Sequence, residues 1–171
     1  VVTTNYDSLI ERADATSRLT VVSEMTEQLP RVGLVKLHGS FTNPEGLVLT
    51  PSDIRDFGSR RQRLLDQLRS ELATRPVVVV GSSLRDVATV DLFSARSPSS
   101  PRGWAVAPTV SEVYRLRLQD WNLEPIQATS DDFFAALRRQ HAGHGRLQLI
   151  DGVVDDAVVT DVDVVALGHL A

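Results

Sequence analysis

At 171 residues, 42% hydrophobic and 23% charged, the chain is long enough to bury one core and reads as a single globular domain. Its net charge of -4 argues against a nucleic-acid partner, which normally selects a basic surplus on one face. The absence of cysteine excludes a disulfide framework, a thiolate zinc site and a cysteine nucleophile, and fits a reducing compartment, so a cytoplasmic location is expected.

Val1-Val2-Thr3-Thr4 has the texture of the end of a buried strand, and with no initiator Met before it the chain is expected to be N-terminally truncated. Further strands are expected at Leu19 to Ser23, Leu34 to Leu37, Leu47 to Leu49, Val77 to Gly81, Trp104 to Ala107 and Leu123 to Ala128. The longest β-branched run, Val77 to Val80, is strand-sized and far short of the roughly 18 apolar residues of a membrane helix, so no membrane partner is expected. A helix opens near Ser8, with Leu9 and Ile10 as its apolar positions. Ser59 to Thr74 places Leu64, Leu65, Leu68 and Leu72 on one face, with Pro76 closing it. Val110, Val113, Tyr114 and Leu118 stand at helical spacing, and Ser130-Asp131-Asp132 caps a helix carrying Phe133, Phe134 and Leu137. Ser94 to Gly103 reads as a surface loop. Alternating strands and amphipathic helices predict an α/β fold, a mainly parallel sheet covered on both faces. Residues 1–140 form this domain. From His141 onward the texture changes to Val-Asp alternation at Val153 to Asp156 and Asp161 to Val164, which suggests strands or the start of another module.

Three polar clusters follow three of the predicted strands: Thr4-Asn5-Tyr6-Asp7, His38-Gly39-Ser40 and Gly81-Ser82-Ser83, with Arg85-Asp86 behind the last. In an open parallel sheet the carboxyl ends of neighbouring strands face one crevice, so the three clusters can converge on one ligand. The Gly81-Ser82-Ser83 turn can cradle a phosphate through backbone N–H groups and hydroxyls, but a serine-capped strand exit explains it as well. His38 can take a proton near neutral pH or serve as a hydrogen-bonded structural residue; the adjacent Gly39, which permits close ligand approach, leaves both open. N-capping accounts for one of Asn5 and Asp7 but hardly for the whole cluster. Arg85 and Asp86 read as a local pair or cap. Lys36 is the only lysine, an imbalance that reads as codon bias, and His141, His144 and His169 lack metal-site spacing.

In that order, Thr3-Thr4-Asn5-Tyr6-Asp7, Lys36-Leu37-His38-Gly39-Ser40 and Gly81-Ser82-Ser83-Leu84-Arg85-Asp86 resemble the sirtuin-like domains of bacterial antiphage-defence proteins, over roughly Val1 to Leu137. Protein-deacylating sirtuins carry a related series, Gln-Asn-Ile-Asp, His-Gly and Gly-Thr-Ser-Leu. The resemblance implies a Rossmann-like, three-layer α/β/α fold that binds NAD, with its first strand and glycine-rich loop missing here. It implies that Asn5 orders the attacking water and that His38 is the base, acting through a ribose hydroxyl. Asp7 would contact the nicotinamide carboxamide or support its pocket, Ser82 and Ser83 would contact phosphates or the adenosine ribose, and Thr4, Gly39 and Gly81 would line the cofactor site. NAD is then the substrate, and no zinc is expected because the four-cysteine module is absent. Tyr6 stands where an aliphatic residue is usual, as in the defence branch, where NAD hydrolysis is the typical activity. The leading expectation is an NAD hydrolase controlled by a regulatory or sensing domain outside this chain, with homo-oligomerisation open. The alternatives are a noncatalytic nucleotide-binding or assembly module and, behind it, a protein deacylase.

Overall fold

The structure is a computed structural model that describes residues 1–14, 19–22, 29–31, 33–144 and 163–167. Its strands are β1 (Val2–Thr3), β2 (Thr20–Val22), β3 (Gly33–Lys36), β4 (Val77–Val80), β5 (Gly103–Ala107), β6 (Leu123–Gln127) and β7 (Asp163–Leu167). All pair in parallel, in the order β2-β3-β1-β7-β4-β5-β6. The helices are α1 (Leu9–Ala13), α2 (Pro51–Arg60), α3 (Gln62–Thr74), α4 (Val87–Phe93), α5 (Glu112–Asp120) and α6 (Ser130–His144). This is the expected α/β fold, a parallel sheet consistent with a Rossmann-like architecture.

Period-two alternation sorts the β4 valines between the two faces. Val77 and Val79 join Leu64, Leu65, Leu68 and Leu72 of α3, together with Leu92, Phe93 and Leu118, in the larger core. Val78 and Val80 face the other way, into a smaller core with Trp104, Val106 and Phe133, against which Phe134 and Leu137 of α6 also pack. Both faces of the central strand are therefore dry, which is why its sequence is an unbroken apolar run rather than an alternating one.

The chain builds β1, β3 and β2 on one side and β4, β5 and β6 on the other. The switch between these halves is occupied by β7, whose Leu167 is in register with both Thr3 and Val80. Ligands of open α/β sheets bind in the crevice above such a switch point, here flanked by the segments leaving β1 and β4.

Three local expectations are corrected. Leu47 to Leu49 is not a strand: it has only three residues between the 3₁₀ turn Pro44–Gly46 and the cap of α2, and it meets β3's exit through Val48 N–H donating to the His38 carbonyl at 3.0 Å. The helix expected from Ser59 begins instead at Pro51 and is broken at Arg61. Its overlooked start signal is Thr50-Pro51-Ser52-Asp53, a capping box in which Thr50 and Asp53 satisfy each other's backbone N–H groups, with proline at the first turn. The third is α4, absent from the sequence reading because it is short and rich in β-branched residues. The surface loop expected from Ser94 to Gly103 ends at Arg102, since Gly103 opens β5, and it is not wholly at the surface: Arg96 and Ser100 are buried. Helix α6 takes its cap from Thr129, whose hydroxyl accepts from Asp132 N–H at 3.1 Å, one residue before the expected Ser130. Val153 to Asp156, Asp161, Val162 and His169 lie outside the described residues.

Candidate functional site

The last paired residues of β1 and β3 are Thr3 and Lys36, in register. Two residues beyond each stand Asn5 and His38, so the sheet sets them side by side above its carboxyl edge. The Thr3 hydroxyl accepts from Asn5 N–H at 3.1 Å. The Asn5 side-chain carbonyl oxygen is buried and accepts no hydrogen bond. A buried amide oxygen left without a donor carries a desolvation cost of about 1–3 kcal/mol that a water or a ligand can relieve, and Glu11 Oε2 and Trp104 Nε1 share that state among the described residues.

Asp7 is engaged locally. Its Oδ1 accepts from Leu9 N–H at 2.9 Å, helping to start α1, whose N-cap Ser8 makes no side-chain bond of its own. Its backbone carbonyl accepts from the Lys36 ammonium. Lys36 alternates with the core residues Val35 and Leu37 and so projects to the other face of the sheet, buried, where it also meets Ser40 Oγ at 3.3 Å and the Glu11 carboxylate at 2.6 Å. The lone lysine thus has a structural reason: its ammonium joins the Asn5–Asp7 segment, α1 and the His38-Gly39-Ser40 turn. Composition alone could not show this.

Gly39 has φ +89°, and a Cβ there would lie 2.4 Å from the Gly46 carbonyl oxygen, so the turn after His38 needs glycine on both counts. Arg61, at the break between α2 and α3, donates to the carbonyls of Lys36 (3.2 Å), Leu37 and Gly46 (2.6 Å) and so clamps the two sides of this turn together. Tyr6 closes the arrangement: its hydroxyl donates to the Val48 carbonyl at 2.8 Å, and its ring lies 5.6 Å from Phe41 and 6.0 Å from the His38 imidazole. Burial, with the negative charge of Asp86 behind it, raises the Tyr6 pKa, so the phenol stays protonated as a donor.

The third cluster comes from the far side of the switch point. Gly81 leaves β4 at φ +66° and its N–H donates to the Val106 carbonyl at 3.3 Å. Ser82 Oγ accepts from Leu84 N–H at 3.2 Å, as a turn-forming serine does, while Ser83 is exposed. The loop then brings Asp86 across to His38, with Oδ1 3.5 Å from Nε2. The approach to His38, and next the bonds to Thr89, hold the Asp86 carboxyl down at about 2 despite partial burial. The three clusters expected to converge therefore meet: the first and second through Lys36 and Tyr6, the second and third through His38 and Asp86. Thr4 is half-buried at the exit of β1.

Sequence reasoning underrated Asp86 and Lys36 and passed over Arg61 and Glu11. An acid five residues after a strand-exit glycine, directly before a helix, is the signal that marks Asp86. Nothing in the sequence marks Arg61, which acts from the opposite end of a helix break. Among the described residues no group of three or more His, Cys, Asp or Glu could hold a metal ion, and no helix is long and apolar enough to cross a membrane.

A search of curated proteins finds none that matches this chain. Comparison with protein families matches residues 1–126 to the SIR2-like domain, a stretch that contains all three clusters and every strand from β1 to β5 and most of β6. With the parallel sheet and its converging strand ends, that match over most of the chain's length shows that this protein belongs to the SIR2-like domain family, which implies use of NAD.

Proposed function

We propose that this domain is an NAD hydrolase of the cytoplasm, acting as a defence effector, that splits NAD into nicotinamide and ADP-ribose. The bond between the nicotinamide nitrogen and ribose C1′ breaks with its electron pair going to the pyridinium ring. Water supplies the new C1′–O bond, and its proton is lost through His38 by way of a ribose hydroxyl. The observation that carries this reading is the unpartnered, buried Asn5 carbonyl oxygen, which stands one strand from the imidazole and is suited to accept from an attacking water. Asp7, whose carboxylate and carbonyl are engaged with Leu9 and Lys36, supports the nicotinamide end of the pocket rather than reacting. Gly39 and Gly81 let backbone approach the dinucleotide, with Thr4, Ser82 and Ser83 as its polar contacts. Holding reactants in place and stabilising charge supply most of the acceleration in such a site. Tyr6 in the first cluster supports the defence branch over a protein deacylase. A regulatory partner fits a reaction that drains a cell's NAD when unchecked.

The test is nicotinamide release from NAD alone, with no acylated peptide present. Turnover is expected in the unaltered protein, with losses of about 10²-fold or more in Asn5→Ala and His38→Ala. Turnover that requires an acylated peptide would replace hydrolysis with deacylation, and NAD binding without turnover would favour a nucleotide-binding module.

A further inference from the structure

The His38 imidazole is covered on two sides by rings: Tyr6 at 6.0 Å and Phe57, edge-on, at 6.2 Å. Such packing limits where the ring sits but leaves its rotation about the Cβ–Cγ bond unspecified. Asp86 faces it across the switch point and divides its two oxygens between two tasks. Oδ2 accepts from Thr89 N–H at 2.9 Å and interacts with the Thr89 hydroxyl at 3.0 Å, capping α4, which leaves Oδ1 to face Nε2. At 3.5 Å this is an approach rather than a full hydrogen bond, as is common for reacting groups before a ligand closes the site.

The loop that delivers Asp86 is unusual in two ways. Leu84, fully buried, has φ +52°, a left-handed conformation costing roughly 1–3 kcal/mol in a non-glycine residue. Two side chains of α5 hold the loop there: Arg117 donates to the Leu84 carbonyl at 2.8 Å and Tyr114 to the Ser82 carbonyl at 3.2 Å. A serine-led turn could cap a helix without this strain. What the strained path adds is the position of a carboxylate opposite an imidazole.

We infer that Asp86 is a positioning residue for His38: its Oδ1 accepts from Nε2–H and fixes the ring so that Nδ1 is the nitrogen that takes the substrate-derived proton. This rests on the proposed hydrolase reading. It gives that reading an orienter for its base, the arrangement by which a carboxylate selects the tautomer of a catalytic histidine on unrelated folds.

The closing experiment separates the contact from the reaction. In the ligand-free protein, the Asp86 carboxyl is followed by ¹³C NMR through an acid titration in the unaltered chain and in His38→Ala. Its midpoint is expected to rise from about 2 toward the ordinary carboxylate value when the imidazole is removed; an unmoved midpoint overturns the inference, whether or not NAD is hydrolysed. The kinetic arm uses Asp86→Ser, which keeps a good N-cap on α4 but is too short to reach His38, and Asp86→Asn, which keeps both the cap and an acceptor oxygen. With NAD as substrate, Asp86→Ser is expected to lose no more than a few degrees of melting temperature and to keep its KM within about threefold while kcat falls about 10²-fold, with Asp86→Asn lying between it and the unaltered chain. Unchanged kcat in Asp86→Ser, in a protein that does hydrolyse NAD, overturns the positioning role and leaves the hydrolase reading standing. An unaltered chain without turnover removes the hydrolase reading instead, and the titration alone then decides whether Asp86 holds His38.

Discussion

Arg61 and Arg96 are both buried and both spend their guanidinium N–H groups on backbone carbonyls, yet they work at opposite ends of the same sheet. Arg96 donates to the carbonyls of Leu72 and Arg75 (3.0 Å) just before β4, Pro101 just before β5, and Trp121 (2.9 Å) just before β6. It therefore ties three parallel strands together where they begin. Arg61 donates to Lys36, Leu37 and Gly46, where β3 ends and the His38 turn begins. The tie at the amino edge thus spans three strand starts, whereas the tie at the carboxyl edge lies beside the turn that carries His38. The same chemical device serves strand packing at one edge and, on the proposed reading, the site at the other.

Replacing Arg96 with Met sharpens the contrast most. Burial already lowers the Arg96 pKa, so its hydrogen bonds have to offset a desolvation cost. Truncation leaves four carbonyls without that donor, in a place where neighbouring strand starts exclude water. A loss of at least about 3 kcal/mol is expected, or roughly 6–12 °C in melting temperature for a domain of this size. Denaturant unfolding measures it, and nicotinamide release per folded molecule should stay within about threefold, since hydrogen-bonding at the amino edge does not reach the crevice. A selective loss of turnover in this variant would break the division between the two edges.

Arg61→Met is the converse case. It serves three carbonyls rather than four, two of them on consecutive residues, so the stability loss is expected to be smaller, about 1–2 kcal/mol. Turnover should fall by at least about tenfold, because the carbonyls of Lys36 and Leu37 are no longer tied to that of Gly46 and His38 drifts from its position. Comparing kcat at full folding with the unfolding midpoint of each variant separates these outcomes; equal losses in both properties would show that Arg61 is only a second Arg96.

The cores were nearly legible from sequence, the carboxyl edge only in outline, and the Arg96 tie at the amino edge not at all, since its segment reads as a surface loop. The four-valine run, the leucines of α3 and the aromatic face of α6 declare themselves by periodicity, since burial selects the same residue types at regular spacing. The clusters after β1, β3 and β4 were also visible, because polar residues directly after an apolar strand are conspicuous. What joins them was not. Lys36 reads as one more residue of a strand, yet it connects Asp7, Glu11 and Ser40. Arg61 reads as one of many arginines on a helix, until the helix breaks there and turns it inward. Contacts between distant positions, such as Lys36 with Asp7 and Arg61 with Leu37, leave no periodic trace in a single chain. Asp86 is an intermediate case, since the helix-cap reading was correct for one of its oxygens and silent about the other.

Acid is the mildest way to probe the comparison, because it titrates the Asp86 carboxyl that faces His38, whereas the ties of Arg61 and Arg96 run to backbone carbonyls, which do not titrate. The carboxylates near the Arg96 edge, Glu71 and Glu124, pair with arginines at the surface. The Asp86 carboxyl titrates from its ordinary value of 3.8 in the unfolded chain to about 2 in the folded one, chiefly through His38. A lowered folded value stabilises the fold at every pH above the unfolded value. As pH falls below about 4 the unfolded chain takes up the proton first, and the contribution drains away until the folded carboxyl is also protonated, near pH 2. The melting temperature of the unaltered protein is therefore expected to fall further between pH 4 and pH 2 than that of Asp86→Asn, with the two curves parallel above pH 5. The carboxylate is over a third exposed, which keeps the difference small. Hydrogen exchange at pH 3 gives it a location: amides at the α4 start and the His38 turn should lose protection before those around Arg96, whereas simultaneous loss would mean that the two edges open as one unit.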